Sequence, residues 1–184
     1  MRVEALKKNY EVQVRWIAFP LHPETPEDGQ TLEDLFAGRP VDIEGMKNRL
    51  KQVADELGLP LGKRTKTFNS RLAQELAKWA ESQGKGDAFH AAVFRAYYVD
   101  GKNIGKADEL GLLSRSVGLP EKEARHVLES RTFKEAVDTD WARSRSMGIT
   151  AVPTFVMGRQ VAVGFQPYDV LDNLLKANQI KKRG

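Results

Sequence analysis

The stretch GITAVPTFVMGRQVAVGF, from Gly148 to Phe165, contains a helix stop, a proline and two short apolar runs joined by a tight turn. The turn falls at Gly158 and Arg159, which suits a two-residue hairpin turn with glycine first. Pro153 lies where the first strand should begin, and proline cannot donate a hydrogen bond to a β ladder. The stretch therefore predicts a β-hairpin whose ladder is interrupted at Pro153.

The segments on either side of this hairpin predict one more strand and one more helix. In YEVQVRWIAF the apolar residues alternate and then fill both faces, which predicts a strand over Val12–Phe19 buried in a parallel sheet. In QPYDVLDNLLKAN, Pro167 suits the first position of a helix. The expected buried face of that helix consists of Val170, Leu171, Leu174 and Leu175.

Between the predicted strand and the hairpin, the apolar residues follow a helical period for more than a hundred residues. Asp42 is the candidate N-cap of the first helix, and Gly58 with Pro60 closes it. Its apolar positions are Met46, Leu50, Val53 and Leu57. Five further helices are predicted from Leu72, Leu76 and Trp79; Phe89, Val93, Phe94 and Tyr97; Leu110, Leu113 and Val117; Ala124, Val127 and Leu128; and Phe133, Val137 and Trp141. We interpret the aromatic stripe of the second group as core rather than as a pocket lining.

The amino-acid composition excludes several classes of function for this chain. The chain of 184 residues is 41% hydrophobic, which is enough for a globular core. It contains no apolar run long enough to span a membrane, and its start lacks the apolar centre of a signal peptide, so we expect a cytoplasmic protein without membrane association. Cysteine is absent, which excludes disulfides and a thiol nucleophile in this chain.

Neither a metal or other cofactor nor a nucleic-acid partner is expected. His22, His90 and His126 are far apart and lack the spacing of metal ligands. The net charge is +4, and the positive residues are dispersed apart from GKRTK at 62–66 and IKKRG at 180–184. Neither cluster is interleaved with aromatic residues, as a nucleic-acid surface would be.

Three stretches together resemble the FrnE-type branch of the DsbA family of thiol-disulfide oxidoreductases: GITAVPTFVMGRQVAVGFQPYDVL, WIAFPLHPETPEDG and FNSRLAQELAKWAESQGKGDAFHAAVFRAYYVDGKNIG. The resemblance covers essentially the whole chain. It implies an α/β thioredoxin-like fold with an inserted all-helical domain. The thioredoxin-like domain would comprise residues 1–32 and 148–184, and the helical insertion residues 33–147.

The resemblance also implies a binding site. In that family the bond that corresponds to Val152–Pro153 is cis, and its loop lies beside the catalytic Cys-x-x-Cys. The backbone of the residue before the proline pairs with an extended substrate or with glutathione. Val152, Pro153 and Thr154 are therefore the expected substrate-binding residues, and a thiol- or disulfide-containing peptide or glutathione is the expected partner. The residues themselves agree, because a proline at the start of a strand leaves backbone groups for a guest chain.

The chain departs from the family where the dithiol should be. The family's cysteines lie at the N-terminus of the first helix, where free N–H groups stabilise a thiolate. MRVEALKKNY resembles the back half of that helix, so the resemblance implies that the first strand and both cysteines are missing. We expect no catalytic residue and no redox activity in this chain. Either Met1 is an internal or misplaced start of an active oxidoreductase, or the chain is a natural remnant that retains the binding half of the site.

The missing strand would be central in the sheet, so its loss should expose two strand edges and favour association into a homo-oligomer. Two other function classes stay open. One is a glutathione-dependent isomerase or transferase similar to 2-hydroxychromene-2-carboxylate isomerase and the kappa-class glutathione transferases, which share the VPTF loop but carry serine in place of the first cysteine. AVGFQP favours the oxidoreductase branch over it. The other is a non-catalytic peptide-binding or chaperone-like module.

Overall fold

A computed structural model of the chain describes residues 2–183, so Met1 and the last residue of the basic tail, Gly184, lie outside the described part. In chain order, the elements are α1 Arg2–Asn9, β1 Gln30–Thr31, α2 Leu32–Leu35, α3 Ile43–Glu56, β2 Lys66–Thr67, α4 Arg71–Ser82, α5 Gly86–Tyr98, α6 Ala107–Ser116, α7 Glu121–Ser130, α8 Lys134–Ser146, β3 Thr154–Met157, β4 Gln160–Val163 and α9 Tyr168–Ala177. Among residues 2–183, no helix is both long enough and apolar enough to cross a membrane.

The chain forms two compact units. The hairpin unit consists of the described residues of Met1–Leu21 and Thr139–Gly184, and the helical unit consists of His22–Asp138. The boundaries between the units lie after Leu21 and after Asp138, whereas the sequence predicts them after residues 32 and 147. The loop that follows Leu21 belongs to the helical unit. The Asn69 side-chain amide holds that loop by donating to the carbonyls of Pro23 and Thr25, at 3.0 and 2.8 Å.

Pairing between short strands also joins the loop to the helical unit, because β1 lies antiparallel to β2 with Gln30 opposite Thr67. At the other boundary, α8 runs through both units. Its residue Asp140 is buried and accepts a 2.9 Å hydrogen bond from the backbone N–H of Ala18. Since Ala18 is part of the hairpin unit, this bond places the second half of α8 there too.

Helices α3 to α8 are the helices that the sequence predicts, and α3 has the expected start. The Asp42 carboxylate accepts the Gly45 N–H at 2.8 Å and so caps α3. The core of the helical unit is a cluster of buried residues: Ala73, Leu76, Trp79, Ala80, Phe89, Ile104, Leu110, Leu119, Ala124 and Leu128. The predicted aromatic stripe divides, since Phe89 is fully buried whereas Phe94 is 50% exposed.

The hairpin unit is built on β3 and β4, which pair antiparallel from Thr154 opposite Val163 to Met157 opposite Gln160. Gly158 takes the first turn position with a φ of +58°, as the sequence predicts. The apolar core of the unit is a cluster of Leu6, Tyr10, Leu171 and Leu175, and Phe155, Met157 and Ala162 pack against it. Pro167 is the N-cap of α9 rather than its first residue.

The predicted strand over Val12–Phe19 is wrong. The segment contains no strand, although the exposure of its side chains alternates, with Val12, Val14 and Trp16 half-buried and Gln13 and Arg15 exposed. Ile17 is 36% exposed, so the end of the segment is not buried on both faces. A strand needs a neighbour that shares its hydrogen bonds, and within the described chain no strand lies beside this segment.

Candidate functional site

The loop before β3 brings Val152, Pro153 and Thr154 to the start of the hairpin. The peptide bond between Val152 and Pro153 is cis, which is the isomer that the resemblance implies. The Thr154 hydroxyl donates a 2.6 Å hydrogen bond to the carbonyl of Ala151, and the carbonyl of Pro153 accepts the Gly164 N–H at 2.7 Å. These two bonds tie the loop to itself and to the far end of β4.

Within this loop, Val152 combines an exposed side chain with backbone groups that make no hydrogen bond. Its side chain is 45% exposed, and Pro153 is exposed beside it. In the part of the chain that the structure describes, neither the N–H nor the C=O of Val152 has a hydrogen-bond partner. Backbone groups of this kind pair with water or with a ligand, because leaving them unpaired costs free energy. At Val152 the loop therefore presents one donor and one acceptor at the surface.

The edge of β3 continues this row of backbone groups. β3 pairs with β4 on one side, and no strand within residues 2–183 pairs with its other side. One face of the hairpin is apolar and open to solvent, with Val156, Val161 and Val163 exposed by 39%, 51% and 53%. An open edge with an apolar face is the surface on which an extended peptide adds as a further strand.

A cation lies at the far end of β4, and the sequence reasoning missed it. The Arg2 guanidinium is 3.8 Å from the centroid of the Phe165 ring and donates a 2.6 Å hydrogen bond to the carbonyl of Gln166. Phe165 is 52% exposed and directly follows Gly164, which bonds to Pro153. Arg2 and Phe165 are far apart in sequence, and no local pattern links them.

The groups at the loop are backbone hydrogen-bonding groups and apolar side chains. The sequence contains no cysteine, so the chain offers no thiol for disulfide exchange. Among the described residues, no three histidine, aspartate or glutamate side chains are grouped so that they could hold a metal ion. What the loop supplies is a pair of backbone hydrogen-bonding groups, an apolar strand face and a cation nearby.

Comparison with known proteins gives a family match over nearly the whole chain. The family model described as DSBA-like thioredoxin domain matches residues 1–176. Among curated proteins, the chain is 28% identical over 178 residues to the uncharacterized protein YwbO of Bacillus subtilis, which covers 95% of this chain and 86% of that protein.

Solved structures share the fold. A probable DsbA oxidoreductase of Streptomyces coelicolor superposes with a TM-score of 0.78 at 24% identity, over 89% of this chain and 74% of that one. A 2-hydroxychromene-2-carboxylate isomerase has a TM-score of 0.73 at 21% identity, over 97% and 85%. The cytosolic disulfide reductase DsbM of Pseudomonas aeruginosa, solved with GSH, has a TM-score of 0.55 at 23% identity, over 74% and 77%.

Proposed function

The chain belongs to the DSBA-like thioredoxin domain family, and from that premise we propose that the loop of Val152, Pro153 and Thr154 docks glutathione or an extended thiol- or disulfide-containing peptide. Because the chain has no cysteine, it binds this ligand without exchanging a disulfide. The observation that carries the proposal is the backbone of Val152, whose N–H and C=O have no partner among the described residues.

The proposed mode of binding is antiparallel pairing. A cysteine-containing backbone lies along Val152, donates to its carbonyl and accepts from its N–H, as a strand does when it joins a sheet. The hydroxyl of Thr154 holds the loop in position through its bond to Ala151. The ligand's side chains then contact the apolar face at Val156, which is 39% exposed.

Glutathione is the smallest ligand with this chemistry. It carries a peptide backbone, a thiol and two carboxylates, and the Arg2 guanidinium near the end of β4 suits an anionic group. Support comes from the DsbM structure, which was solved with GSH. DsbM is a cytosolic enzyme. We therefore place the protein in the cytoplasm.

An NMR titration tests the docking loop. We expect glutathione to shift the amide resonances of Val152 and Thr154 with a dissociation constant of about 1 mM, a weak affinity in keeping with a few hydrogen bonds. S-methylglutathione should bind within about threefold of this, since no thiol on the protein reacts. Shifts confined to other residues, or no shift at high glutathione, would contradict the proposal.

A substitution in the loop sharpens the test. Thr154→Val keeps the size of the side chain but removes the hydrogen bond to Ala151, so the loop loses order and binding should weaken several-fold. The matched control is Thr65→Val, at an exposed threonine of the helical unit, and it should bind as the wild type does. If the two variants bind glutathione with equal affinity, the ligand does not bind at this loop.

A redox assay tests the absence of exchange. The purified chain should not accelerate the reduction of insulin by dithiothreitol, because it has no thiolate to attack a disulfide. Acceleration that follows the amount of protein would show that another group carries out the exchange, which the present proposal does not allow.

A glutathione-dependent isomerase is the second candidate function. One observation favours it: the 2-hydroxychromene-2-carboxylate isomerase structure aligns with 97% of this chain, a larger share than the DsbA oxidoreductase structure covers. The two candidates differ in how strictly they require glutathione. A dedicated glutathione site should prefer glutathione to the α-linked tripeptide Glu-Cys-Gly, whereas a peptide-docking edge should bind both alike.

A further inference from the structure

Helix α3 in the helical unit carries an apolar stripe that faces solvent. The stripe consists of Met46, Leu50 and Val53 within α3 and of Leu57, the C-cap residue that follows it. Three of these side chains are largely exposed, at 47% for Met46, 45% for Leu50 and 41% for Leu57, and Val53 is half-buried. Ala54 is the buried residue of this 14-residue helix, so α3 rests on the unit along a neighbouring face and leaves the stripe uncovered.

The spacing of the stripe is that of a coiled-coil seam. Its residues are separated by four, three and four positions, and Ile43 lies three residues before Met46, which continues the pattern. Apolar residues that alternate at three and four positions pack as knobs into the holes of a second helix. A contiguous exposed apolar surface of this kind is a feature of interaction sites. The stripe is therefore shaped for another helix.

We propose that the α3 stripe is covered by α3 of a second copy of this chain, with the two helices antiparallel. The charged residues that flank the stripe favour this partner and this orientation. Arg49 and Glu56 lie seven residues apart on one flank, so both occupy the same heptad position. In an antiparallel pair, Arg49 faces the partner's Glu56, and the two-fold axis repeats the contact on the same flank with the two copies exchanged.

A parallel arrangement does not use these charges. There, the residue opposite Arg49 comes from the other flank of the seam, where the partner's Ala54 would lie. Arg49 is exposed and has no ion pair within residues 2–183, and Glu56 accepts a hydrogen bond from Gln52 at 2.9 Å. Both charges can thus turn toward a partner. Self-complementary charge along an apolar seam favours the same helix over an unrelated one.

The pairing surface is short, so the association should be reversible. A helix of 14 residues is about 21 Å long, and each copy contributes two heptads of contact. We expect a dimer that dissociates on dilution with a constant in the range of about 1–100 µM. The proposal is independent of the docking loop, because α3 belongs to the helical unit and the loop to the hairpin unit.

Sedimentation equilibrium of the full chain with charge-swapped variants tests the pair. Arg49→Glu and Glu56→Arg each replace two attractive contacts with two repulsive ones, and each should raise the dimer dissociation constant about tenfold. The double variant R49E/E56R restores opposite charges and should return to within about threefold of the wild type. If the double variant stays as weak as the single variants, the antiparallel register is wrong.

The apolar part of the interface has its own test. Leu50→Glu places a charge in the middle of the seam and should give a monomer at all concentrations measured. The matched control Asn48→Glu lies on the outer face of α3, where the added charge should leave the dissociation constant unchanged. Circular dichroism should report wild-type helix content in every variant, because the changed side chains are exposed. A wild-type chain that stays monomeric at about 1 mM, or a dimer that survives Leu50→Glu, would overturn the proposal.

Discussion

The helical unit and the hairpin unit differ in how completely they bury their apolar residues. Among the described residues, the core cluster of the helical unit contains ten buried side chains, and that of the hairpin unit contains four. Helices satisfy their backbone hydrogen bonds internally, so a block of them needs nothing from outside except apolar packing. Strands share their hydrogen bonds with neighbours, and β3 has a neighbour on one side.

This difference supports the proposed docking of an extended ligand at the hairpin unit, which is separate from the helix pairing proposed for α3. Val156, Val161 and Val163 leave an apolar face open beside an unpaired strand edge in the hairpin unit, whereas Leu76 and Leu110 are completely enclosed in the helical unit. A surface that is incomplete by itself is available to a ligand, and a closed core is not. The four predictions below test how strongly the two units differ, from the largest expected effect to the smallest.

Hydrogen exchange should separate the units most clearly. The amides of α4 lie in the core of the helical unit and should exchange at least about a thousandfold more slowly than those of Val12, Gln13 and Val14. Within the described chain, these three amides have no hydrogen-bond partner. The measurement is exchange followed by mass spectrometry or NMR. Equal protection would mean that Val12–Phe19 is a paired strand in solution.

Truncation of a core leucine should destabilise the helical unit strongly. Leu76 is 0% exposed, and Leu76→Ala leaves a cavity, so we expect a loss of about 3 kcal/mol in the free energy of unfolding. Leu112→Ala makes the same chemical change at a side chain that is 43% exposed and should cost no more than about 0.5 kcal/mol. Urea denaturation measures both. Similar losses would show that the helical core is loosely packed.

Removal of the buried charge of Glu75 should lower the free energy of unfolding slightly less than Leu76→Ala does. Glu75 is 1% exposed, and Arg131 and Arg71 donate hydrogen bonds of 2.5–2.7 Å to its carboxylate. Burial raises the pKa of Glu75, but the hydrogen bonds from Arg131 and Arg71 outweigh burial and hold it below the ordinary 4.5. Glu75→Gln should therefore lower the free energy of unfolding at pH 7 by about 2 kcal/mol.

The sign of the pH dependence follows from the lowered pKa. The ionised Glu75 stabilises the fold above the unfolded-state pKa near 4.5, and this contribution is lost as pH falls through the lower folded-state pKa. The difference between wild type and Glu75→Gln should thus shrink in acid, as thermal denaturation between pH 7 and 3 would measure. Glu129→Gln, at an exposed carboxylate of α7, is the control. A pH-independent difference would mean that Glu75 is not ionised in the fold.

The substitution with the smallest expected effect is Tyr10→Phe in the hairpin unit. The Tyr10 hydroxyl donates a 2.7 Å hydrogen bond to Asp172, and this bond, with burial, raises the pKa of Tyr10 to about 12. The bond stabilises the fold below the unfolded-state pKa near 10, and its contribution is lost as pH rises through 12. Tyr10→Phe should remove a late-ionising tyrosine from the ultraviolet titration.

The control for that titration is Tyr168→Phe. The Tyr168 hydroxyl accepts a hydrogen bond from the Asn9 amide, and the bond between Tyr10 and Asp172 does not involve it. The late ionisation should persist in this variant. If Tyr10→Phe leaves the titration unchanged, the hairpin unit is less ordered around Tyr10 than its burial indicates.

The helices and the hairpin could be predicted because their signals are local. Asp42 caps α3 three residues from the N–H that it binds, and Gly158 supplies the turn between two adjacent strands. The positions of Val152, Pro153 and Thr154 at the start of β3 could likewise be predicted from the sequence. The sequence could not show that the backbone groups of Val152 are free. Whether such a group has a partner depends on every residue that surrounds it in the fold.

What the sequence determined by itself was therefore the type of each element and the family to which its order belongs. The tertiary structure decided three further matters: that Val12–Phe19 forms no strand, that the loop after Leu21 joins the helical unit through Asn69, and that Arg2 lies over Phe165. The physical reason is the range of the interactions. Capping and helical period act within a few residues, whereas strand pairing, amide anchors and cation–π contacts join residues from distant parts of the chain.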